Sequence, residues 1–108
     1  MTRRVEQVRE LLRREIGTIV AREVDMERVF VTFTRIEVSK DVRYADIYFV
    51  AIPQESAGSA LARLNSNIFL IQKSLNKRLR MRPVPQIRFH IDEIEQEAAH
   101  IDELLKRI

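Results

Sequence analysis

The sequence predicts an α+β sandwich: a three-stranded mixed sheet with helices packed on one face. Three observations carry that reading. Apolar residues recur at three- and four-residue steps in three long segments, which is helix periodicity. Three shorter segments are rich in Val, Ile, Phe, Thr and Tyr, which is strand composition. The first two strands are joined by a short polar connection, whereas the third returns through a helical crossover, so one pair is antiparallel and the sheet is mixed.

The first helix is read over Thr2 to Glu23 from Val5, Val8, Leu12, Ile16, Ile19 and Val20. Thr2 is its candidate N-cap. Glu10 stands at pairing distance before Arg13 and Arg14, so Arg9, Arg13 and Arg14 are read as solvated face. Gly17 inside this helix costs about 1 kcal/mol relative to Ala, and a close packing contact is the expected reason for it. Val29 to Val38 is the first strand, Ser39-Lys40-Asp41 a turn, and Tyr44 to Ile52 the second strand. In that second strand Ala45, Ile47, Phe49 and Ala51 fall on one face, with Tyr44, Asp46, Tyr48 and Val50 on the other. The two form an antiparallel hairpin.

Pro53 ends the hairpin, and Ser56 or Ser59 is placed to cap a second helix whose stripe is Leu61, Leu64, Ile68, Ile71, Leu75 and Leu79. Asn65-Ser66-Asn67 lies inside that stripe, and such side chains compete for backbone hydrogen bonds, so a kink is expected there. Pro83 and Pro85 stop the helix and favour extended backbone. Pro85 to Ile91 is the third strand, with Ile87, Phe89 and Ile91 inward and Gln86, Arg88 and His90 outward. A C-terminal helix over about 92–108 begins at Asp92, a good N-cap, and carries the stripe Ile94, Ala98, Ile101, Leu105 and Ile108. Its apolar stripe needs cover, and docking on the body is the default. The order is α-β-β-α(-α)-β plus a C-terminal helix, read as a single domain over residues 1–108.

With no cysteine, the chain holds neither a disulfide framework nor a thiolate metal site. No run approaches the ~20 apolar residues of a membrane span. The reading is a soluble cytoplasmic protein. The only glycines are Gly17 and Gly58, which excludes a phosphate-binding glycine loop and a dinucleotide fingerprint. His90 and His100 are in no zinc-ligand spacing and read as surface side chains. No catalytic or metal residues are assigned, no cofactor is expected, and enzyme activity has no support.

Charge is distributed unevenly. Residues 1–90 carry 17 basic and 10 acidic side chains, and residues 91–108 carry 2 and 6. The densest block is Lys73 to Arg82, with Lys73, Lys77, Arg78, Arg80 and Arg82 and no acid. Clustered cations that displace condensed counterions supply most non-specific affinity for nucleic acid. The same block also fits a solvated helix end whose cations favour the negative pole of the helix dipole. Charge alone does not separate the two.

Several strings resemble the bacterial ribosome-binding factor A family, whose fold is a KH-like domain of the second topological type. They are IEVSKDVRYADIYF at residues 36–49, LNS at 64–66 with LNKRLRMRPVPQIRFHID at 75–92, IDELLKRI at 101–108, and the opening VRELLRREI. The resemblance covers nearly the whole chain. It implies a monomeric binding protein of the small (30S) ribosomal subunit and its 16S rRNA. Such a protein assists late maturation of the rRNA, including its 5′ region, and matters most in cold growth. The family carries an Ala-x-Gly kink between its central helices; the matching positions here are Asn67, Ile68 and Phe69, without the glycine. Grip by a glycine loop is therefore not expected, and binding must rest on side-chain cations and shape.

Lys40, Lys73 and Lys77 are the candidate phosphate point charges. Arg43, Arg78, Arg80, Arg82 and Arg88 offer planar forks to phosphate or bases. Arg3 and Arg4 are placed to join from the N-terminus. Two other readings remain open: a KH-like module for a different structured RNA, and a protein-interaction domain using the apolar tail helix.

Overall fold

The structure, a computed structural model, describes residues 3–107. Thr2 as an N-cap and Ile108 as the last stripe position lie outside the described residues. The elements are α1 (Arg3–Glu23), β1 (Phe30–Val38), β2 (Tyr44–Ile52), α2 (Ala57–Ser66), α3 (Ile68–Arg78), β3 (Gln86–Ile91) and α4 (Glu93–Lys106), with a 3-10 turn at Gln54–Ser56. The sheet order is β1-β2-β3, with β1 antiparallel and β3 parallel to β2. The mixed α+β fold is the expected one.

One face of the sheet makes the core. Ile36, Ala45, Ile47, Phe49, Ala51, Ile87 and Phe89 are buried against Val5, Val8, Leu12, Ile16 and Ile19 of α1 and Leu64, Ile71 and Leu75 of α2 and α3. The inward positions of β1 change parity, from Val31 and Phe33 to Ile36 and Val38. A bulge between Phe33 and Arg35 absorbs the shift and leaves Thr34 as the extra residue. The predicted turn has Val42 in the left-handed region (φ 59), which is strained for a β-branched residue. Burial of the Val42 side chain in the core offsets that strain. Ser39 Oγ accepts from the backbone N–H groups of Arg43 and Tyr44 and donates to Asp41, so the tip is tightly organised.

Three expectations need correction. Beyond the adjoining residues and backbone of its own helix, no atom lies within 4 Å of where a Gly17 Cβ would sit, so close packing against another element does not explain it. It borders an open groove between α1 and β1. Ser56 occupies the N-cap of α2 but makes no side-chain capping bond, because the 3-10 turn already leads the chain into the helix. The stripe of α4 does not dock: Ile94 is 80% exposed, Ile101 51% and Leu105 62%. Instead α4 is tied to the sheet by polar groups at its start. Asp92 caps it, accepting from Glu95 N–H and from the Thr34 hydroxyl at 2.7 Å. Gln96, 4% exposed, accepts from Ala51 N–H at 2.7 Å and donates to Ala51 C=O at 2.8 Å. Its amide takes the ladder position beside β2 that β3 vacates after Ile91.

Candidate nucleic-acid interface

Local sequence explains why the cations of α3 and the segment after it face outward. Ile71, Leu75 and Leu79 are the buried seam, and Lys73, Lys77 and Arg80 are exposed. The helix ends at Leu79, where the backbone turns extended (ψ 126). Pro83 and Pro85 keep the following chain extended. Gln72 pins that linker: its amide donates to Pro85 C=O at 3.0 Å and accepts from Ile87 N–H at 2.9 Å.

α1 and α3 run antiparallel. Glu15 meets Arg78 at 2.8 Å and Glu23 meets Ser74 at 3.2 Å, so the start of α1 lies beside the end of α3. Arg4, Gln7 and Leu11 therefore border, with Arg80, Met81 and Arg82, a depression of about 490 Å³. The hairpin tip adjoins the same end, because Gln86 N–H donates to Arg43 C=O at 2.8 Å. One end of the molecule thus gathers the start of α1, the hairpin tip and the linker into β3. The positive pole of the α1 dipole adds to the charge there.

The predicted cations divide in two. Among the described residues, Lys40, Arg43, Lys73, Lys77 and Arg80 are exposed and make no ion pair. Arg78, by contrast, is answered by Glu15 across the α1–α3 contact. Arg82 turns back to donate to Asn76 C=O and Met81 C=O, helping to close the end of α3, though it stays exposed.

Arg88 lies on another surface, apart from the other predicted cations. It lies on the open face of the sheet, away from the helices, and donates to both carboxylate oxygens of Asp46, at 2.8 and 3.1 Å. Its guanidinium also covers the Tyr44 ring at 4.6 Å. His90, predicted as a plain surface side chain, is half-buried and sits 2.7 Å from Asp46. Burial works to raise the Asp46 pKa, but the hydrogen bonds from Arg88 and His90 outweigh it and hold the carboxyl below its ordinary value. Arg35 over Tyr48 at 3.9 Å completes a face whose cations are satisfied internally. Outward alternation in β3 could place Arg88; only the β2–β3 register, Asp46 opposite Arg88, reveals its partner.

The central helix breaks at a single residue, Asn67 (φ −109, ψ 12), as the asparagine-rich string suggested. Its N–H still bonds Arg63 C=O and its C=O accepts from Ile71 N–H, so the interruption is short. Ile68 turns partly inward against the core, while Phe69 is 89% exposed. Among the described residues no group of three or more His, Asp or Glu could hold a metal ion. No described helix is long and apolar enough to cross a membrane.

Comparison with known proteins gives a consistent result. A family model described as ribosome-binding factor A matches residues 4–105. A ribosome-binding factor A of Pseudomonas fluorescens is 35% identical over 96% of this chain and 81% of its own length. The solution NMR structure of a Thermotoga maritima protein bearing the same family name is 32% identical, with TM-score 0.58 over 80% of each chain. A Thermus thermophilus ribosome binding factor A homology model, fitted into a cryo-EM map of a 30S complex, has TM-score 0.57 over 84% of this chain and 93% of that one. At 23% identity it speaks for the fold alone.

Proposed function

The chain belongs to the ribosome-binding factor A family, and from that premise we propose that it binds the small ribosomal subunit through its 16S rRNA and assists late maturation, including that of the 5′ region. It acts as a monomeric cytoplasmic binding protein, needs no cofactor and carries out no reaction. The observation that carries this reading is a set of exposed cations that make no ion pair among the described residues: Arg4, Arg80, Lys40 and Arg43 around the end where α1 begins and β3 is entered, continued by Lys77 and Lys73 back along the outward face of α3. Phosphate contacts from such a surface position a protein on folded RNA without reading sequence, which suits a single docking geometry set by shape.

The Lys73 to Arg82 block is thus more than a helix end answering its own dipole. A cation there for the dipole alone would serve equally well within the last turn, yet Arg80 stands beyond the helix. Sedimentation with small subunits from assembling cells, compared with mature ones, tests the proposal. Preferential, salt-sensitive retention by assembling subunits is the expected outcome. Equal or better retention by an unrelated structured RNA would replace this function with that of a general KH-like RNA-binding module.

A further inference from the structure

α3 buries Ile71 and Leu75. Phe69 lies on the opposite side of the helix and is 89% exposed. Lys73 and Lys77 follow it four and eight residues on, which places all three within about 80° of one another around the axis, at successive steps of about 6 Å along it. The stripe holds no acid, and neither lysine makes an ion pair among the described residues. Leu70 beside it is also exposed. A large ring left in water gains nothing for the fold, and nothing in the core requires one at this position.

The geometry points to Phe69 as a stacking platform for an unpaired RNA base, with Lys73 and Lys77 taking successive phosphates of the same strand. This rests on the RNA-binding reading above and adds to it the class of RNA engaged: a single-stranded segment, whose bases are free to stack. The ring supplies a sequence-tolerant π-face and the ammonium groups supply charge neutralisation, the two parts of single-strand recognition. Paired RNA cannot use the ring, because its bases already stack on each other. An acidic protein segment would use the lysines but would gain no stacking, and it is the competing occupant.

The chain has no tryptophan, so Phe69→Trp introduces a single indole at the site. The probes are an unpaired, adenine-rich RNA of roughly 12 nucleotides, a fully paired duplex of the same length, and small subunits. Expected results are quenching of the indole by the single strand and by subunits but not by the duplex, and single-strand binding weakened about 5- to 150-fold in Phe69→Ala with its salt slope unchanged. Phe69→Tyr should restore most of the affinity. Phe69→Ala with wild-type affinity for the single strand overturns the proposal. So does a blue shift without quenching on subunits alone, which indicates a protein occupant. If wild type binds neither RNA nor subunits, the RNA-binding function falls and this inference with it. If wild type binds both in a salt-dependent way and Phe69→Ala is neutral, the stacking role alone fails.

Discussion

Replacing Lys73, Lys77 and Arg80 together by Ala removes three exposed cations that no carboxylate among the described residues answers. Removal of one phosphate-binding cation lowers the slope of log K against log salt by about 0.7 for single strands and about 0.9 for duplex, so the triple variant should be shallower by roughly 2 to 3. Between 50 and 200 mM salt, wild-type and variant affinities for small subunits should then converge by roughly 20- to 60-fold. The informative control is Arg78→Ala. Arg78 spends its charge on Glu15, so its loss should change the slope by well under the roughly 0.7 of one phosphate-binding cation while loosening the α1–α3 contact. Affinity measured by filter binding across that salt range provides the readout. Parallel lines for wild type and the triple variant, or a larger slope change for Arg78→Ala than for Lys77→Ala, would refute the division between unpaired and paired cations.

Three further outcomes follow from the packing. Gln96→Leu leaves Ala51 N–H and C=O buried without partners; at about 1–3 kcal/mol each the loss is about 2–6 kcal/mol, lowering Tm by roughly 10 °C or more, whereas a loss under about 0.5 kcal/mol would mean the amide pair contributes little. The Thr34 hydroxyl, ahead of the Glu95 N–H and Arg35, holds the Asp92 carboxyl below its ordinary value despite burial. The stabilisation is therefore present above the unfolded pKa and lost as pH falls through the folded one. Thr34→Val should cost stability at pH 7 and progressively less in acid, and a cost that grows as pH falls would contradict the assignment. Charging the exposed stripe of α4 with Ile94→Lys and Ile101→Lys should change unfolding free energy by no more than about 0.5 kcal/mol in urea melts. Ile71→Ala in the core should cost about 2–5 kcal/mol, and a comparable loss from the α4 pair would show that α4 docks in solution.

Much of the fold was legible because its signals are local. Three-and-four spacing marked α1 and the seam of α3, alternation marked β2 and β3, and Asp92 announced the start of α4. The parity change in β1, from Phe33 to Ile36, went unread because that strand was recognised by composition alone, and the bulge emerged only from the β1–β2 register. Sequence failed where a side chain's partner comes from a distant element. Nothing local says that Arg78 meets Glu15, that Arg88 is clamped by Asp46, or that Gln96 completes the ladder at Ala51. Amphipathicity of α4 was real but misleading, since periodicity reports a helix with an apolar face and cannot say whether anything covers it.

Which segments form helix and strand, the basic character of the body and, through resemblance, the family could all be read from the order of residues. Backbone propensity and side-chain spacing act over a few residues, and so they are written directly in the chain. Which cations remain unspent, and which surfaces they occupy, emerges with three-dimensional packing, because Coulomb pairing depends on separations between residues roughly 40 or 60 positions apart in sequence, as with Arg88 and Asp46 or Arg78 and Glu15. Those distances are set by the antiparallel packing of α1 on α3 and the parallel register of β3 on β2.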